Sequence, residues 1–135
     1  MTREYLYECE TEGVVVRVAP QFLEDESTPE DNKFVWAYTV EIENHGDRTL
    51  QLLSRFWRIT DRNGRVQEVR GRGVVGQEPV IAPGESFQYT SGTPLSAPSG
   101  MMEGVYDLTD DTGVQLTADI PPFSLDSPYD EGALH

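Results

Sequence analysis

Phe34, Trp36, Tyr38, Val40 and Ile42 alternate with Val35, Ala37, Thr39, Glu41 and Glu43, a period of two sustained over nine residues. Successive side chains of a β-strand point to opposite faces, so this segment specifies a strand with one large apolar face against a core. Its other face turns acidic toward Glu43, which predicts a solvated side. Nowhere does an apolar spacing of 3.6 residues persist for three helical turns, and 12 Gly and 9 Pro interrupt the chain at short intervals. The constraint is therefore an all-β fold assembled from short antiparallel strands.

The neighbouring segments extend that pattern. Val14 to Val18 is a short β-branched run that leads through Pro20 into a polar loop from Leu23 to Asn32. After the turn Asn44-His45-Gly46-Asp47, Leu50 and Leu52 hold even positions while Leu53, Trp57 and Ile59 hold odd ones, a phase change that predicts a β-bulge near residues 52 to 54. Asn63-Gly64 between two alternating runs predicts a hairpin whose second strand runs from Val66 to about Arg70. Ala82-Pro83-Gly84-Glu85 is a turn feeding Phe87 and Tyr89, and Pro94, Pro98 and Gly100 are expected to break the chain again. A last hairpin is expected from Val105 to Leu108 and Val114 to Ile120, closed by Pro121-Pro122, with residues 124 to 135 as a tail. Seven or eight strands without a substantial helix predict an immunoglobulin or fibronectin type III-like antiparallel β-sandwich, with a small barrel as the alternative.

At 135 residues there is room for one core. Residues 1 to 12 are expected to be a flexible or peripheral segment and 13 to 135 a single domain. No apolar run reaches the length of a membrane span, and Met1 to Tyr5 is not followed by a secretory apolar segment, so a cytoplasmic protein without membrane contact is expected. Cys9 is the only cysteine, which excludes an internal disulfide and a multi-cysteine metal site. It is expected to be a solvated thiol. His45 and His135 have no partner at ligand spacing, and the acids between Glu24 and Asp31 lack the order of a calcium loop, so no metal or cofactor is expected.

A net charge of −14 repels phosphates and anionic lipid, which argues against nucleic acid as a partner. Against that background Arg48, Arg55, Arg58, Arg62, Arg65, Arg70 and Arg72 crowd into residues 48 to 72 beside only Asp61 and Glu68. Alternation places Arg55 and Arg58 on opposite faces of one strand and lets Arg70 and Arg72 share a face. Several of these arginines are expected to pair with the surplus carboxylates.

Gly71-Arg72-Gly73-Val74-Val75-Gly76 satisfies the dinucleotide-binding spacing. That chemistry also needs a following helix whose amides face the pyrophosphate, and Pro79 and Pro83 leave no room for one. The glycines are better explained as bends or close backbone approaches at a sheet edge. A lesser role, with loop amides and Arg70 or Arg72 holding a small anion, stays open. No nucleophile elbow or other catalytic arrangement is visible.

The runs Phe34 to Val40, Leu52 to Trp57, Val69 to Gly76 and Ala82 to Gly92, with Met102 to Tyr106, Ile120 to Phe123 and Leu134-His135, resemble the bacterial ApaG family, also called CorD. The resemblance covers nearly everything from Val14 onward and implies a fibronectin type III-like sandwich. It further implies a genetic link to cobalt tolerance and magnesium efflux, and a non-enzymatic interaction module, since the related domain occurs in eukaryotic F-box proteins and a polymerase-delta-interacting protein. The glycine loop belongs to the family pattern and has drawn the suggestion of pyrophosphate binding; Arg72 departs from the acidic residue common there. The resulting expectation is a protein-binding module whose contacts include Arg55, Trp57, Arg70, Gly71, Arg72, Gly73 and Gly76. Its protein partner is unidentified, exposed edges leave a homodimer open, and small-anion or nucleotide binding at the loop is the alternative.

Overall fold

A computed structural model describes residues 5–130. Among them nine strands form two antiparallel sheets packed face to face, an immunoglobulin or fibronectin type III-like β-sandwich. One sheet holds β1 (Tyr7–Thr11), β2 (Val14–Phe22), β3 (Phe34–Asn44) and β7 (Ser86–Leu95) in the order β1-β2-β3-β7. The other holds β4 (Leu50–Asp61), β5 (Val66–Arg72), β8 (Gly100–Asp110) and β9 (Gln115–Leu125) in the order β5-β4-β8-β9, and the two-residue β6 (Val80–Ile81) pairs with the start of β4.

The alternation in β3 does what its spacing dictates. Phe34, Trp36, Tyr38, Val40 and Ile42 are all buried between the sheets, and Val35, Ala37, Glu41 and Glu43 lie on the more accessible face. Trp57 stands opposite them at the centre of an aromatic cluster, with ring centroids 5.3 Å from Tyr38 and 5.9 Å from Phe123. The phase change in β4 is a bulge, seen as a register shift against β8 between Leu52 and Ser54. Beyond it the odd residues Arg55, Trp57, Ile59 and Asp61 face inward.

Four expectations need correction. Pro94 does not break the chain but sits within β7, which tolerates a residue without an N–H because it is the last strand of its sheet. Residues Val105 to Leu108 are only the middle of an 11-residue β8. The last strand does not stop at Pro121-Pro122 but absorbs both in a bulge opposite Met102 to Gly104 and continues to Leu125, again on a sheet edge. The following residues are docked and not a free tail: Asp126 O accepts from Trp36 Nε1 at 2.7 Å, and the Tyr129 ring lies 6.0 Å from those of Phe22 and Phe34. Leu134 and His135, part of the resemblance, lie outside the described residues.

Both hairpins rest on an aspartate. Asp61 Oδ1 accepts from the amides of Asn63 and Arg65, and Asp110 Oδ1 from those of Thr112 and Val114, so each side chain caps its own turn. The buried Asn44 donates to Arg48 O and Ile81 O and accepts from the Gly46 amide, tying three loops together.

The two long flanks of the sandwich differ. On one, β1 meets β9: Cys9 Sγ donates to Asp119 O, Asp119 N donates to Thr11 Oγ1, and Tyr7 packs on Phe123. Cys9 is therefore half-buried, and that burial pushes its thiol pKa up. On the other flank the sheets end on β5 and β7, and among the described residues no hydrogen bond joins these two strands.

Candidate functional site

A trough follows that open flank. It consists of three adjoining cavities of ≈ 250, ≈ 260 and ≈ 240 Å³. The first and second share Tyr38, Arg55, Trp57 and Ser91, and the second and third share Ile59, Gln67 and Pro94. Its walls are the inner face of β5, carrying Gln67 and Val69, and the inner face of β7, carrying Ser91 and Thr93.

The glycine loop closes one end. Gly73 N donates to Leu53 O, while Val74 and Gln77 exchange reciprocal amide bonds of 2.8 and 2.9 Å around a tight turn. Val75 and Gly76 at its tip both have positive φ, +43° and +79°. Val74 drops into the core, fully buried, whereas Val75 is 50% exposed. A β-branched residue held in the left-handed region and presented to solvent marks a position whose conformation serves something other than local comfort. The amides of Gly73, Val74 and Gln77 all have partners within the loop or β4, which leaves only those of Val75 and Gly76 at the tip to face an anion.

The structure separates the seven sequence candidates. Arg55 projects into the trough; its Nη1 donates to Arg72 O at 3.0 Å and to Gly73 O at 2.9 Å, clamping the loop. Gly71 is its partner across the β4–β5 ladder, and a Cβ there would lie 2.8 to 2.9 Å from the guanidinium. The absence of a side chain at Gly71 lets that guanidinium lie flat against β5. Trp57 requires correction as an exposed partner contact: it lines the floor of the first two cavities but is only 3% exposed, and its indole packs chiefly in the core. Arg70 and Arg72 do share the outer face, as alternation requires, but both are occupied there. Arg70 lies 4.3 Å above the Phe56 ring, and Arg72 pairs with Glu78 at 2.9 Å. Arg70 does not line the trough, and Arg72 lines its first cavity with a charge already paired to Glu78. Gly73 and Gly76 shape the loop and carry no chemistry.

Reading the sequence missed the tyrosines. Tyr38, Tyr89 and Tyr106 are buried behind Arg55, and the Tyr89 and Tyr106 hydroxyls share a short hydrogen bond. Burial raises the pKa of all three phenols; for Tyr38 the Ser91 hydroxyl offsets part of the effect, and Arg55 does so more weakly at each. They remain neutral; Tyr38 and Tyr89 line the first cavity, and Tyr106 lies fully buried behind them. Alternation marked Tyr38 and Tyr89 as inward-facing, yet nothing local showed that β3, β7 and β8 bring three hydroxyls beside one guanidinium.

Comparison with known proteins follows the same outline. A family model described as the ApaG domain matches residues 24–110. Protein ApaG of Maricaulis maris is 55% identical over 130 residues, covering 96% of this chain and all of that protein. Protein ApaG of Paramagnetospirillum magneticum is 53% identical over the same lengths. The crystal structure of a Bordetella pertussis protein named ApaA superposes with a TM-score of 0.83 at 46% identity, covering 86% of this chain and 94% of that one. The family-model match and relatives more than half identical over nearly the whole chain agree: the chain belongs to the ApaG family.

Proposed function

We propose that the chain is a non-enzymatic, cytoplasmic binding module that holds an extended segment of a partner protein along the flank between β5 and β7. The observation that supports this reading is the flank itself. Two sheets end there on strands whose outer backbone groups have no ladder partner, and the trough between them is open along its length. A strand edge offers backbone hydrogen bonds and a trough offers side-chain pockets, the two ingredients of strand addition. Val66 and Val69 of β5 are 54% and 40% exposed, apolar side chains on an edge that a partner would cover. The link to cobalt tolerance and magnesium efflux that the family resemblance brings is assigned to the partner, since the trough presents cations and not a metal-binding set of carboxylates. Pyrophosphate at the glycine loop is the less favoured reading, because the Gly73, Val74 and Gln77 amides are internally bonded and Arg70 and Arg72 are engaged by Phe56 and Glu78.

The test is photo-crosslinking in the native host from probes at Val69 and Ser91, with Val114 on the far hairpin as the control. The same discrete adduct from both trough positions and none from Val114 is the expected result. Equal capture at all three, or none at Val69 and Ser91, overturns the proposal.

A further inference from the structure

The distribution of unpaired cations narrows the chemistry of that partner. Arg17 is held by Glu8, Glu41 and Glu43, Arg48 by Asp110 and Asp111, Arg58 by Glu68, Arg62 by Asp130 and Arg72 by Glu78. Among the described residues four cations lack a carboxylate within ion-pair distance: Lys33, Arg55, Arg65 and Arg70. Arg70 is stacked on Phe56 on the outer face. The other three all line the trough, Arg55 at the end closed by the glycine loop and Lys33 with Arg65 at the opposite end. In a chain with 24 acids and 10 basic residues, three cations without an ion-pair partner along one channel, with Asp61 as the one acid among the lining residues, are a local reversal of the protein's own field.

The donors at Arg55 are specific. Its Nη1 is occupied by two backbone carbonyls, whereas Nε and Nη2 have no protein acceptor among the described residues, and no buried side-chain polar atom is left unsatisfied. The free edge of the guanidinium therefore opens onto the cavity as a pair of parallel N–H groups, the geometry that accepts a carboxylate bidentately. At the far end Asp61 also lines the cavity, but its Oδ1 is taken by the amides of its own turn. From Arg55 to Asp61 along β4 is six residues, or about 20 Å of extended chain.

Resting on the binding-module reading, we infer that the segment held between β5 and β7 is an acidic peptide in extended form, with one carboxylate on Arg55 and a second about six residues away on Lys33 and Arg65. The apolar floor between, with Ile59, Val69 and Met102, takes a neutral side chain from the middle of the segment.

The test is selection from a display library of random peptides of about ten residues, long enough to span the trough at roughly 3.3 Å per residue. Binding is then measured by fluorescence anisotropy against wild type, Arg55→Gln, the pair Lys33→Gln with Arg65→Gln, and Arg58→Gln on the outer face. The selected peptides are expected to carry Asp or Glu about six positions apart. Affinity should fall about tenfold or more with Arg55→Gln and with the double variant, stay unchanged with Arg58→Gln, and weaken as salt is raised. Because Arg55 also clamps the glycine loop, the double variant, remote from that loop, serves as the second and independent measurement.

Neutral peptides that crosslink at Val69 and ignore all three cations overturn the inference while leaving the binding module standing. No peptide bound at the flank overturns both. Saturable binding of acetate or inorganic phosphate at Arg55 without any peptide overturns the peptide source. Self-association through the chain's own acidic residues 24–31 likewise overturns it, in favour of a second copy.

Discussion

Alanine at each glycine of the Gly71 to Gly76 loop gives one large loss and two small ones, because three different physical reasons place glycine there. Gly76 has φ +79° and nothing within 4 Å of an added Cβ, so Gly76→Ala carries only the left-handed penalty of about 1 kcal/mol. Gly73 has φ +61° and a Cβ would lie 2.2 Å from Gln77 O, a backbone atom that cannot rotate away. Relief requires opening the reciprocal Val74 and Gln77 bonds, so two net hydrogen bonds of about 1 kcal/mol each add to the conformational term and give about 3 kcal/mol. Gly71 is extended, and its substituent meets only the movable end of Arg55. Gly71→Ala loses part of the Arg55 clamp but gains the strand preference of Ala over Gly, for a net cost of about 1 kcal/mol or less. At about 4 °C per kcal/mol for a domain of this size, melting temperatures should fall by roughly 12 °C for Gly73→Ala and by roughly 4 °C or less for the other two. Circular dichroism melts and urea titrations of the three variants measure this directly. A Gly73→Ala protein as stable as wild type, or a Gly76→Ala protein as damaged as Gly73→Ala, would refute the reasoning. Gly76→Asn should recover much of the loss, since Asn tolerates the left-handed region.

Two further outcomes follow from the core. Trp57→Ala should cost about 3 to 5 kcal/mol and reduce the urea midpoint accordingly, because the cavity it leaves is walled by Tyr38, Tyr106 and Phe123; a change near zero would mean that the indole is not core. Tyr38, Tyr89 and Tyr106 have raised pKa values in the fold, chiefly from burial, so the folded state favours their neutral forms. Their contribution is fully present below the ordinary phenol value of 10.0 and is lost as pH rises from there toward the folded values. Stability should therefore fall above pH 10, with phenolate absorbance appearing together with unfolding; reversible titration of all the tyrosines in a folded protein would contradict the burial.

Much of the architecture was legible from local pattern because a strand's period of two, an Asn-Gly turn and a Pro-Gly turn act within a few residues. The nine-residue alternation became β3 with every large apolar side chain inside, and the phase change at Leu52 became a bulge. Local pattern failed where sheet position overrides propensity. Pro94, Pro121 and Pro122 read as strand ends, yet β7 and β9 are edge strands, and an edge can absorb a missing N–H. The same limit explains the strands that exceeded expectation, since β1 and β6 are short segments whose ladders come from distant partners.

Sequence by itself determined the fold class, the hairpins and the family, and it singled out the arginine-rich stretch. It could not rank the arginines, because a side chain's availability depends on which residue of another strand or loop stands beside it. Tertiary packing alone turned Arg55 toward the trough, stacked Arg70 on Phe56, paired Arg72 with Glu78 and sealed Trp57 in the core. Closing one flank of the sandwich and leaving the other open then set Arg55 in line with Lys33 and Arg65, residues that no local period connects.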